Sequence, residues 1–149
     1  MDVKNSHKIQ ADLHKEINSF VEICLKTLEE NIQAVILFGS VGRGEFDKDS
    51  DLDFCIVVKK YPEFDRRLGA RIMELCDDVG ISHPVEPIFI TEEGLRDFSS
   101  PFTLEVLSDG VVVYGDYPLE GLKRLMVSER IRPIYEEEVR IGWELSAQV

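Results

Sequence analysis

One stretch leaves this chain little freedom: Ala34-Val-Ile-Leu-Phe38, then Gly39-Ser40 and a short polar loop, then Ser50-Asp51-Leu52-Asp53 running into Phe54-Cys-Ile-Val-Val58. Two apolar runs of strand length, separated by glycine-containing turn residues, predict buried strands over 34–38 and 52–58. Between them, Ser40 to Gly44 opens as a short helical turn where backbone N–H groups can converge on an anion. Side chains of an extended segment alternate between faces, so Asp51 and Asp53 share one face while Leu52 and Phe54 enter the other, toward a core. Two like charges so close need cations, and their place beside a glycine-rich bend suits a metal-bound triphosphate.

Read as one string, these residues resemble the signature of the nucleotidyltransferase superfamily that includes the DNA polymerase beta fold, most closely its small prokaryotic minimal nucleotidyltransferase branch. The family pattern is a hydrophobic strand, Gly-Ser, two residues, Arg-Gly, a short polar loop, Ser-Asp-hydrophobic-Asp and another strand. Here Gly39, Ser40, Arg43, Gly44, Ser50, Asp51 and Asp53 meet it. The resemblance covers about residues 31 to 115. It implies an α/β domain with a small mixed sheet of about four strands flanked by helices, an N-terminal helix and a C-terminal helical tail.

The resemblance also implies the chemistry: transfer of a nucleoside monophosphate, AMP from ATP or its equivalent from another nucleoside triphosphate. Two Mg2+ ions, or Mn2+, would be held by three carboxylates, so a third acid is required on a later strand. Glu86, in Val85-Glu86-Pro87-Ile88-Phe89-Ile90, is the candidate beside Asp51 and Asp53. It departs from the family pattern in being Glu where Asp is usual, and Pro87 removes a backbone donor, which suggests an edge strand. An exposed edge-strand glutamate is the other reading. Ser40 would offer its hydroxyl and N–H to the β- or γ-phosphate, and Gly39 would let the backbone approach. Arg43 either contacts phosphate as a planar donor fork or pairs with the acidic loop. Gly44 permits the tight exit from the turn. Ser50 bonds within its loop or faces water.

Three functions stay open on these grounds. Similar small enzymes act as antitoxins that adenylylate a HEPN-type toxin, related larger ones modify aminoglycoside hydroxyls, and the fold can persist as a nucleotide-sensing or interaction module. No second substrate domain is evident, which favours a protein acceptor, although a homo-oligomer would also complete a cleft.

The whole chain fits one domain over 1–149, with its core at about 31–115 and a helical extension at about 118–149. A net charge of −12 opposes attraction to nucleic-acid phosphates and disfavours a polymerase role. Glu45, Asp47 and Asp49 read as a solvated loop, with Arg43 and Lys48 as the local cations. Cys24, Cys55 and Cys76 lie among apolar residues and read as buried free thiols. No apolar run approaches membrane-span length and no signal-peptide pattern opens the chain, so a cytoplasmic location is expected. Lys59 and Lys60 read as a solvated strand end, and His7, His14 and His83 form no ligand spacing.

For the remaining elements, apolar spacing predicts a helix from about Asn5 to Glu30 and a second starting near Pro62 and ended by Gly80. Val85–Ile90 should be the third strand. A short helix is expected over 91–98, another capped by Ser100-Pro101 and stopped at Gly110, and a fourth strand over Val111–Tyr114. A helix restarting at Asp116 to Pro118 should break or kink at Pro133. Beyond it, Ile134 to Val149 reads as a docking tail or a flap over the site.

Overall fold

The computed structural model describes residues 3–44, 47 and 49–145. Helix α1 spans Val3–Leu28, and its Ile17, Phe20, Val21, Cys24 and Leu28, spaced to share one helical face, are buried. A 3₁₀ turn at Glu29–Asn31 leads into β1 (Ile32–Phe38), the short α2 (Gly39–Gly42), β2 (Leu52–Val58), α3 (Asp65–Asp78), β3 (Val85–Thr91) and α4 (Glu92–Leu95). Then follow α5 (Pro101–Asp109), β4 (Val111–Tyr114), α6 (Leu119–Ser128), β5 (Ile131–Glu136) and β6 (Val139–Leu145). Ser100 caps α5 by accepting the Thr103 amide, with Pro101 in the first turn. Helix α3 starts at Asp65 rather than at Pro62; Asp65 supplies the acid of its first turn and takes a 2.7 Å hydrogen bond from the Tyr61 hydroxyl.

Four strands make one sheet in the order β3-β2-β1-β4. Strand β1 runs antiparallel to both β2 and β4, whereas β2 and β3 are parallel. A parallel pair needs a crossover, and α3 provides it. Pro87 lies on the outer strand β3, where its missing N–H interrupts no ladder. Both faces of the sheet are covered. Val35, Leu37, Phe54, Ile56 and Val58 meet α1 and α3, with Phe20 stacked on Phe54 at 3.8 Å. Ala34, Ile36, Cys55 and Val57 meet α5 and α6. Cys24, Cys55 and Cys76 are free and buried, and burial raises all three thiols, Cys76 to about 11. Among the described residues no helix is long and apolar enough to cross a membrane.

The helical extension expected over 118–149 is corrected by the structure. Helix α6 stops at Ser128, and β5 pairs antiparallel with β6 as a hairpin. Its turn residues, Glu137 and Glu138, adopt φ of 50° and 67°, the left-handed pair that a tight two-residue hairpin turn requires. Pro133 therefore kinks no helix; it sits in β5 opposite Trp143, tolerated because a two-stranded sheet has only edges. Ile131 and Trp143 pack onto the α5/α6 core, so the apolar residues read as one side of a helix dock a ribbon instead. The last part of the expected tail, 146–149, lies outside the described residues.

Candidate active site

Asp51 stands at the threshold of β2 and Asp53 one residue inside it. The register sets Asp53 opposite Phe38 of β1 and, on its other side, opposite Glu86 of β3. Because Phe38 is the last residue before the Gly39-Ser40 bend, the same register presses that bend against Asp53. A Cβ built on Gly39 would lie 2.5 Å from Asp53 Oδ2, and the residue has φ +74°. Contact and backbone conformation both restrict this position to glycine. Asp51, Asp53, Glu86, Gly39 and Ser40 are thus gathered at one end of the sheet.

The carboxyl groups of Asp53 and Glu86 share a hydrogen bond. Burial is the main cause that lifts Asp53 to about 6; the Glu86 charge, that hydrogen bond, and the charges of Asp51 and Glu105 push the same way. Glu105 was not foreseen from the sequence. Helix α5 covers the face that carries Asp53, and with Thr103, Leu104, Val106 and Leu107 buried beneath it, Glu105 is left on its exposed side. The one available clue was that exposed position in an otherwise apolar helix.

Around this cluster the loop residues are busy with one another. Ser50 accepts the Asp47 amide on its hydroxyl at 3.0 Å, and the Asp49 amide donates to Asp47 Oδ1 at 2.7 Å. Of the two readings of Ser50, the structure shows the bond within the loop. Glu45 and Lys48 lie outside the described residues. Gly44 leaves the turn with φ +83°. Arg43 has a partner that neither reading named: Nη1 donates to Asp109 Oδ2 at 3.0 Å. Asp109, buried at the end of α5, also receives both Arg140 nitrogens, at 2.9 and 2.6 Å, a bidentate pair that fixes the hairpin to the domain. Arg140 lies over the Trp143 ring at 4.6 Å. Between hairpin and α5 runs a cleft of about 640 Å³ lined by Arg43, Glu105, Asp109, Tyr135, Arg140 and Trp143. Lys59 and Lys60 follow the opposite end of β2 from Asp53, where Lys60 is bracketed by the Asn31 amide.

The acids at the site are oxygen donors, the set that suits Mg2+ or Mn2+. Among the described residues, no three His, Cys, Asp or Glu side chains are gathered closely enough to hold a metal ion. The donors match a hard divalent cation in kind, and rotation of exposed Asp51 and Glu86 is what would close them around one.

A glycine-rich bend wedged against acidic strand residues in a mixed, helix-covered sheet defines a class, and sequence comparison agrees. The nucleotidyltransferase domain family matches residues 17–114. The chain belongs to that family and is a nucleotidyltransferase. A Methanocaldococcus jannaschii protein named "putative protein adenylyltransferase" is 25% identical over 142 residues, covering 90% of this chain and 95% of that protein. A chain in the complex of a tri-AMPylated Shewanella oneidensis HEPN toxin with MNT antitoxin superposes with TM-score 0.53 at 14% identity, over 76% of this chain and 82% of that one. Spectinomycin adenyltransferase from Enterococcus faecialis, solved with ATP and spectinomycin, gives 0.57 at 18% identity over 72% of this chain, which spans 58% of that enzyme. These structural likenesses show a shared fold.

Proposed function

We propose that this chain transfers AMP from ATP to a hydroxyl of a protein partner, in the manner of an antitoxin acting on a HEPN-type toxin. The observation that carries the transfer is the wedge of Gly39 against Asp53 with Glu86 in register beside it. Support for a protein acceptor comes from the near full-length likeness to a protein named "putative protein adenylyltransferase".

Asp51, Asp53 and Glu86 would hold two Mg2+ ions, which when bound supply positive charge to the triphosphate and to the attacking oxygen. Gly39 and Ser40 bring backbone N–H groups and a hydroxyl to the β- and γ-phosphates. Arg43, tied to Asp109, fixes the exit of α2 and leaves the phosphate bend in one shape. In the reaction the acceptor oxygen bonds to the α-phosphorus as the bond to the bridging oxygen breaks in line. Pyrophosphate departs, and the hydroxyl proton leaves by way of the exposed Glu86 carboxylate to solvent.

The test is incubation with α-labelled ATP, Mg2+ and lysate of the source cells. A labelled protein band supports the reading, a labelled small molecule replaces it with drug modification, and nucleotide binding without transfer replaces it with a sensing module.

A further inference from the structure

Asp51 has no regular ladder of its own, yet the peptide groups on both sides of it are held by the same dipeptide. The Leu52 amide donates to the Pro84 carbonyl at 2.8 Å, and the Ser50 carbonyl lies 2.9 Å from His83 Nδ1. The first contact is backbone to backbone and continues the β2–β3 pairing. The second depends on a side chain, and on which ring nitrogen carries a proton.

Glu16 of α1 addresses the other ring nitrogen. Its Oε1 accepts both the amide and the hydroxyl of Ser82, each at 2.6 Å, so the carboxylate is locked in place. Its Oε2 is buried, finds no hydrogen-bond partner among the described residues and faces His83 Nε2 at 3.6 Å, the two side chains being 14% and 9% exposed. A buried carboxylate oxygen with no donor is costly, and the imidazole edge is what stands opposite it. A carbonyl accepts only from a protonated nitrogen, so the contact with Ser50 demands Nδ1–H whatever the charge of the ring.

We infer that Glu16 and His83 are positioning residues that fix the backbone from which Asp51 projects, with Glu16 orienting the ring and Nδ1–H gripping the Ser50 carbonyl. The inference rests on the assignment of Asp51 to the metal–nucleotide site. Partners one step removed from a ligand commonly set affinity or activity by about 10- to 100-fold.

The test uses the full chain. Nitrogen-15 spectra of the wild type should show a proton on His83 Nδ1, and the Leu52 amide should exchange at least about 10-fold faster in His83→Ala. Mn2+ binding in the presence of ATP, followed by electron paramagnetic resonance, should weaken about 10- to 100-fold in His83→Ala. Glu16→Gln, which keeps the Ser82 contacts, should hold most of the wild-type affinity, whereas Glu16→Ala should lose it as His83→Ala does. An Nε2–H tautomer, or unchanged Leu52 exchange and Mn2+ affinity in His83→Ala, overturns the inference. Should the wild type bind no Mn2+ with ATP, the assignment of Asp51 fails, and the tautomer and exchange results still decide whether the dyad grips the loop.

Discussion

Helix α5 carries two acids four residues apart, and they enter opposite electrostatic worlds. Asp109 is 7% exposed and receives Arg43 at 3.0 Å and Arg140 at 2.9 and 2.6 Å. Glu105 feels Arg140 only at long range, without an ion pair, and adds its charge to the group where Asp53, Glu86 and Asp51 already repel one another. Where a carboxylate fastens the hairpin and the exit of the Gly39-Ser40 bend, guanidinium groups compensate it; at the end of the sheet, acid is set against acid. A buried charge that serves the fold must be paired within the chain. A cluster that repels itself is stable only marginally, and it gains from a cation arriving with the substrate.

The largest effect should come from Asp53→Asn. Transfer should fall at least about 10³-fold, because the proposed metal–nucleotide site would lose its innermost acid. Its folded state should nevertheless become more stable. The sign follows from linkage: Asp53 rises from 3.8 to about 6 on folding, so the native state binds its proton more tightly and stability is lost as pH climbs from about 4 to about 6. Removing the charge should return about 1 kcal/mol near neutrality, after allowance for solvent screening. Urea unfolding that shows a loss instead would break the contrast.

Asp109→Ala should do the reverse, costing about 3 to 5 kcal/mol by removing the carboxylate that the largely buried Arg140 grips in two bonds; a change under about 1 kcal/mol in the same unfolding assay would mean the pair is not a fastening. Gly39→Ala should cost about 1 to 2 kcal/mol from its left-handed backbone and also displace Asp53, so transfer and stability should fall together. In the wild type, transfer should decline as pH drops through about 6, as Asp53 takes up its proton, and a flat profile down to pH 5 would contradict the ionised role. The smallest change is expected from Glu105→Gln, which should move that acid limb downward by less than about half a unit, as befits an exposed charge.

Much of this was legible from local pattern. Alternation placed Asp51 and Asp53 on one face, Pro87 announced the edge strand, and Ser100-Pro101 announced the start of α5, because each signal acts within a few residues of its cause. The Asp53–Glu86 register was anticipated only through family resemblance, since it depends on a crossover. Arg43 was noticed, but Asp109 was not, and neither was Glu105 or the bond from His83 to Ser50; each joins segments far apart in sequence. The hairpin was hidden for a different reason. Glu137-Glu138 carries none of the Asn or Gly that normally marks a two-residue turn, and Pro133 argued against a strand.

The parallel register of β2 with β3 also governs when the site can exist. Asp53 and Glu86 become neighbours only when the intervening helix folds back across the sheet, a contact of high sequence separation of the kind that slows folding. During synthesis, a nascent chain that has emerged as far as β2 holds the bend and its two aspartates yet cannot assemble the complete acidic group. The full acidic group therefore takes shape only when β3 docks beside β2, more than thirty residues after the bend has been made.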